Sequence, residues 1–399
     1  MKRLFRDLAY MAVGAVLLWL LLPERFAVNV PVALLGWGNA PPSASEVQDR
    51  LRLPAGFSIR LYASGLRGAR IVRVTHTGDL LVSLPGSGRI VLLERDTTGD
   101  GLPDARRDLL SGLHRPHGMD LYHGWLYVAE TDAVGRIRFD AKTRSVSGEY
   151  DRVVTGLPGG GAHWSRSVRF GPDGAMYVSV GSSCNACEEK DPRALILRFR
   201  PDGSAREIYA TGLRNTVGFD WRPGTNELYG VDMGRDFLGD DFPPCELNRI
   251  KQGKFYGWPY ANGNKIPDPD FGESNQAKII DSVAPVHGFA AHSSPLGISF
   301  LRGGKLPPPY QGAALVTLHG SWNRTEKQGY EIVSLHFDGS GNIAERKFMT
   351  GFEVDGKVIG RPVDVAQGPD GTLFISDDFT GSVYSVVSHR VIPSKSPGA

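Results

Sequence analysis

Between Leu53 and Val387 the chain repeats one pattern six times. An apolar strand ends in a Gly-Leu or Gly-Phe turn, a polar loop follows, then two strands joined by a tight turn, then an outer strand. The best-formed copy runs from Thr211 to Asp236, TGLRNTVGFDWRPGTNELYGVDMGRD. Equivalent anchor positions fall at Leu80, Leu126, Met176, Leu228, Ala314 and Leu373, about 46 to 59 residues apart with one gap of about 86. Four strands in a period near 40 to 50 residues mark a β-propeller blade. Alternation of apolar and polar residues within each strand suits sheets packed face to face, blade against blade. The expectation is therefore an all-β, six-bladed β-propeller over residues 53–391, with a tail at 392–399. A β-sandwich does not predict six copies with the same loop order. Fifty glycines and 27 prolines supply the turns that so many short strands need. The long gap is read as a loop excursion on one face, from about Lys254 to Pro285.

Residues 1–40 have another character. Lys2, Arg3 and Arg6 precede an apolar run from Leu8 to Leu22, and a second apolar patch runs from Val28 to Trp37. The basic flank would keep the N-terminus cytoplasmic and send the rest across a membrane. The run suits a signal-peptide core or a short anchor. Pro41 and Pro42 after the small residue Ala40 argue against cleavage, so an uncleaved signal-anchor is expected, with the propeller facing the periplasm and residues 41–52 as linker. A net charge of +2 gives no reason to propose nucleic-acid binding.

In a propeller, loops at one register converge on one mouth of the central channel. After the Gly-Leu turns those loops carry Arg70, His117, His163 with Arg166, Arg214 with Asn215, His292 with Ser293 and Ser294, and Arg361. Such a ring of arginine and imidazole suits a small anionic ligand, and a histidine there can act as general base. The far ends of the inner strands carry Glu130, Asp232 and Asp377, either lining the channel or structural.

Three segments, GLRN at 212–215, MGRD at 233–236 and ELNRIKQGKFYGWP at 246–259, resemble in order and spacing the soluble quinoprotein glucose dehydrogenase and sorbosone (pyranose) dehydrogenase family. The motifs HGSWNR at 319–324 and RPHGMD at 115–120 resemble its sorbosone and pyranose branch. The resemblance covers the whole propeller. It implies pyrroloquinoline quinone (PQQ) and Ca2+ as cofactors, and oxidation of a sugar or alcohol hydroxyl by hydride transfer to PQQ. A respiratory quinone or cytochrome would then take up the electrons. It also implies residue roles. His163, in GGAHWSR, matches the catalytic base. Arg214 and Asn215 match residues that hold the quinone, with Arg214 also polarising it. Gly234 and Arg235 match positions whose backbone carbonyls bind calcium. Arg361 matches one of two arginines near the PQQ carboxylates, and the second falls at Val363. Arg324, with His319 beside it, is the candidate for the family's fifth-blade lysine. His117 sits near a substrate-contacting position. Ala162 stands where the glucose enzymes carry an acidic residue, which argues against glucose.

Other motifs point elsewhere. Cys184 and Cys187 form CNAC, but Glu188 replaces the histidine that a c-type haem site needs. With three cysteines in the chain, a zinc site lacks its second ligand pair, so a local disulfide is expected, with Cys245 buried. DTTGDGLPD at 96–104 resembles a calcium loop, but Arg107 stands where a bidentate Glu is needed, so a turn between blades is expected. Two alternatives stay open. A lactonase-like propeller hydrolase would hold a channel metal with side-chain carboxylates, where these loops offer Arg and His. The other is a binding propeller without catalysis.

Overall fold

The computed structural model describes residues 10, 13–14, 26–29, 40–190 and 192–389. Most of the expected signal-anchor and the tail lie outside the described residues. Among the described residues no helix is long and apolar enough to cross a membrane.

Six antiparallel sheets form the blades. Blade 1 is built from Val72–Val74, Leu80–Leu84, Arg89–Leu93 and Arg106–Leu110, innermost strand first, and blades 2 to 5 follow the same order. The last blade closes the ring. Its inner strands are Pro362–Gln367, Leu373–Asp377 and Ser382–Ser388, and its outermost is Phe57–Ala63 from the start of the propeller, paired Ile59 to Val386 and Leu61 to Tyr384. The blade boundary thus lies one strand away from the repeat read in the sequence. Each strand ending in Gly-Leu is the fourth strand of the preceding blade, because that turn carries the chain from rim to centre.

Alternation explains the packing. Leu80, Val82, Val91 and Leu93 of blade 1 meet Ala366, Phe374 and Val383 of the last blade in one buried cluster. The register facing the central channel is charged instead. It holds Arg73, Asp120, Arg169, Asp220 and Asp364 on five inner strands. Blade 5 carries Ser299 there, and Arg302 reaches back to replace it, bonding Asp220 at 2.8 Å. Arg169 reaches Asp220 at 3.0 Å and Arg73 reaches Asp364 at 2.8 Å. The aspartates also accept backbone N–H groups from the next inner strand, Phe170 to Asp120 at 2.8 Å, Phe300 to Asp220 at 2.9 Å and Val72 to Asp364 at 3.1 Å. The channel is therefore tied blade to blade by alternating charge. Arg73, Asp120, Arg169, Ser299 and Arg302 line a wide cavity of about 780 Å³, while Asp220 and Asp364 are buried behind them.

The excursion after Ile250 adds order to the propeller. Lys254–Phe255 pairs in parallel with Glu207–Thr211 and gives blade 3 a fifth strand. A small hairpin and the helix Gln276–Asp281 follow before His287–Phe289 completes blade 4. Residues expected as linker form the helix Ala44–Arg50, whose Ser43 cap accepts the Glu46 N–H at 3.1 Å and whose Val47 is buried. The DTTGDGLPD turn joins the third and fourth strands within blade 1, which corrects its expected place between blades. Asp96 accepts the N–H groups of Gly99 at 2.6 Å and Gly101 at 2.7 Å. Asp/Gly turns of this kind serve either connection equally, so composition cannot tell them apart.

Candidate active site

Both the loops that enter each inner strand and those that leave the second strand emerge on one face, because an inner hairpin returns to where it began. The expected carboxylates sit at that return. Glu130 accepts the His114 N–H at 2.5 Å, Asp232 that of Asn215 at 2.6 Å, and Asp377 that of Arg361 at 2.9 Å. All three are buried and their bonds shape the loops, and Asp232 also lines a small cavity behind the cleft.

The loops enclose a cleft of about 200 Å³. Arg70, His163, Asn215, Ser294, His319 and Arg361 line it. Trp164, Met233 and Trp322, which sequence reasoning did not single out, complete its walls. The cleft floor is apolar. Val217, Leu296 and Val363, from three successive inner strands, form one small cluster. Val363, where the resemblance places a second arginine, belongs to this floor.

His163 has a defined tautomer. Its Nδ1 lies 2.7 Å from Ser182 Oγ and 3.0 Å from the Ser182 carbonyl, while that hydroxyl donates to the Cys184 carbonyl at 2.8 Å. Both Nδ1 neighbours are therefore acceptors, so Nδ1 carries the proton and Nε2 keeps a free lone pair. Burial first, and the Arg214 cation second, lower its pKa to about 3, so the imidazole is neutral at neutral pH. Gly181 makes room for this arrangement. A Cβ there would stand 2.6 Å from Asn215 Oδ1 and 2.7 Å from His163 Cβ.

The CNAC loop is the brace behind these groups. Cys184 and Cys187 are joined as a disulfide, and Cys245 is free and buried. Asn185 between them accepts from Arg214 Nε through its carbonyl at 2.9 Å and from Arg214 Nη2 through Oδ1 at 2.9 Å. Its Oδ1 also accepts the Asp236 N–H at 2.8 Å. Arg214 donates further to the Met233 carbonyl at 3.1 Å. The guanidinium thus stands behind the cleft wall, beside a second small cavity that Gly234, Arg235 and Glu246 also line.

The other side of the cleft holds a charged relay. Arg70 Nη1 meets Asp378 Oδ2 at 2.7 Å, and His319 Nε2 meets Asp378 Oδ1 at 2.8 Å. Arg361 donates to the carbonyls of His319 at 3.0 Å and Gly320 at 2.7 Å. Burial and the Arg361 cation lower the His319 pKa to about 4. Burial alone would raise Asp378, but His319 and Arg70 overcome it and hold the carboxyl well below the usual range.

The remaining expected residues stand apart from the cleft lining. His117 is buried beneath it, edge-on to Trp164 at 5.7 Å between ring centres, with Nδ1 3.2 Å from the Arg166 carbonyl. Arg324 is spent on the rim, on the Asp240 carbonyl and on Asp241 at 3.1 Å. The Arg235 side chain pairs with Asp268 at 2.8 Å and Asp270 at 2.8 Å, which ties the excursion to the blade 4 loop.

The donors present fit the implied cofactors. Among the described residues, no hydrogen bond reaches the Gly234 or Arg235 carbonyls, which leaves hard oxygen donors of the kind calcium takes. Arg70 Nε is buried without a partner at a cleft that two arginines line, a setting that calls for an acidic ligand. No set of three or more His, Cys, Asp or Glu ligand atoms converges in the cleft among the described residues. The one such group is Cys184, Cys187 and Glu189, and its two sulfurs are bonded to each other. A hydrolase metal held by side-chain carboxylates has no counterpart there.

Known proteins share this architecture. An uncharacterised protein of Borreliella burgdorferi is 29% identical over 367 residues, which cover 88% of this chain and 94% of that protein. A pyrroloquinoline quinone-dependent sugar dehydrogenase of Hypocrea jecorina is 25% identical, covering 82% of this chain and 87% of that one. Among solved structures, the PQQ domain of pyranose dehydrogenase from Coprinopsis cinerea superposes with a TM-score of 0.73 at 20% identity, covering 87% of this chain and 98% of that one. The calcium structure of the Trichoderma reesei enzyme of carbohydrate-active family AA12 gives 0.72 at 23%, covering 85% and 97%. At those identities the two structures speak for the fold. The TrAA12-like family model matches residues 51–389, the whole propeller, and the chain belongs to that family.

Proposed function

We propose that this chain is a quinoprotein dehydrogenase that oxidises a sugar-type hydroxyl, with His163 as general base and PQQ and Ca2+ as cofactors. The observation that carries the reading is His163 itself, a neutral imidazole with Nδ1 held by Ser182 and Nε2 free at a cleft bounded by Arg70 and Arg361. Membership of the TrAA12-like family and a relative named as a PQQ-dependent sugar dehydrogenase support it.

In this reading Arg70, Arg361 and Asn215 hold the acidic, planar cofactor, and the Gly234 and Arg235 carbonyls hold calcium. When bound, PQQ supplies the two-electron oxidant and calcium polarises it. His163 Nε2 takes the hydroxyl proton of the substrate as hydride leaves the same carbon. Ser182 keeps the tautomer that makes this possible. Trp164 and Trp322 narrow the cleft and limit water. Proton release from His163 then readies the site for the next substrate. The apolar run Leu8 to Leu22 would hold the propeller on the periplasmic side of the inner membrane, where a respiratory quinone or cytochrome takes up the electrons.

Calorimetric titration of the purified protein with PQQ in calcium buffer tests the reading directly. Binding that weakens when calcium is chelated is expected. Absence of binding with calcium present would sink it.

A further inference from the structure

The N-terminal segment does not leave the propeller at random. Residues 26–29 dock on the loops that form the cleft mouth. The Asn29 N–H donates to the Trp322 carbonyl at 2.8 Å, and Asn29 Nδ2 donates to Ser321 Oγ at 3.2 Å. Asn323 Nδ2 donates to the Ala27 carbonyl at 2.8 Å, while its Oδ1 accepts the Phe237 N–H at 2.7 Å. The Phe26 ring lies 6.0 Å from that of Phe237, which meets Trp322 edge-on at 5.6 Å. Trp322 is a wall of the cleft. Phe26 and Val28 stay 38% and 45% exposed.

In the sequence only Pro23, Glu24 and Arg25 separate Phe26 from the apolar run Leu8 to Leu22. An extended chain advances at most about 3.6 Å per residue, so an anchor formed by that run would enter the bilayer within roughly 15 Å of Phe26. The opposite mouth lies a strand length further away, about 17 to 20 Å.

From this we infer that the cleft mouth is a bilayer-facing surface. Residues 26–29 pin it there, and Phe26 and Val28 meet the interface. Its electron acceptor is accordingly a lipid-dissolved quinone. That quinone takes two electrons and two protons from the reduced cofactor and leaves as the quinol, regenerating the oxidised cofactor. The inference rests on the anchor and dehydrogenase readings above.

The test uses the full-length protein in vesicles of phosphatidylethanolamine and phosphatidylglycerol that carry a nitroxide-labelled lipid. A fluorophore is placed at Glu326→Cys, on the rim loop, or at Asn226→Cys, on the inner turn of the opposite face, since the native thiols are paired or buried. Quenching at least twofold stronger at 326 than at 226 is expected. The double variant Phe26→Ala, Asn29→Ala should still float with the vesicles but lose that difference. It should also reduce a bilayer-dissolved benzoquinone several-fold more slowly than wild type while turning over a water-soluble dye at the same rate. Protein that does not float overturns the anchor reading, and this inference falls with it. Floating protein with equal or reversed quenching overturns the orientation alone. Asymmetry that survives in the double variant overturns the role of residues 26–29. Dye reduction without benzoquinone reduction overturns the acceptor while leaving the dehydrogenase reading intact.

Discussion

His163 is set up as a base by what stands behind it rather than by what it faces. Ser182 consumes Nδ1–H, Arg214 and burial keep the ring neutral, and Gly181 leaves space beside Asn215. His163→Ala should lower turnover by about 10² to 10⁴-fold, the usual worth of a positioned base, with PQQ affinity changed only a few-fold in calorimetry. Ser182→Ala keeps only the carbonyl partner of Nδ1, and turnover should fall about tenfold with cofactor affinity unchanged. The register of the repeat narrowed ten histidines to His117, His163 and His292, and the family resemblance alone singled out His163. Ser182 and Asp378 were not legible, because each follows the second strand of its blade and meets its partner only when the hairpin has closed.

Elements hold one another through buried charge. Asp220 binds Arg169, Arg302 and the Phe300 N–H, and so joins the inner strands of blades 3, 4 and 5. Asp220→Ala would strand two cations near the channel, and removing one member of such a buried set costs about 3 to 5 kcal/mol. A matching loss of unfolding free energy in urea titration is the expected outcome. The disulfide acts at this scale in another way. A loop closed across so few residues removes little chain entropy, so Cys184→Ser with Cys187→Ser should barely move the unfolding midpoint. Turnover should still drop severalfold, because Asn185 would no longer be held against Arg214. The CxxC spacing pointed to the bond, but nothing in that spacing pointed to Arg214 as what it braces.

Across the whole molecule, ring closure depends on Phe57–Ala63 pairing with the last strand of the chain. Stability also depends on pH through the cleft. The folded pKa values of His163 and His319, about 3 and about 4, lie below the ordinary value of 6.5. The unfolded chain therefore binds more protons in that window, so their contribution is complete above pH 6.5 and is lost as pH falls toward 4. Asp232 and Asp377, which burial raises to about 6, work in the opposite direction over the acid part of the window. The clean measurement is consequently a difference. Between pH 7 and pH 4.5, wild type should lose more thermal stability than His319→Gln, which has no imidazole to protonate.

The six-fold period, the turn residues and strand alternation determined the propeller and the register of its polar loops, because those signals act over a few residues of a strand or turn. Closure of the ring decided the rest. It placed Val363 in an apolar floor, brought Arg302 to the channel position that Ser299 leaves uncharged, spent Arg324 on the rim, and set Asn29 against Trp322. Each of these joins residues from different blades, or from opposite ends of the chain. Such contacts are set by how six sheets meet around one axis, and no local pattern along the sequence encodes that geometry.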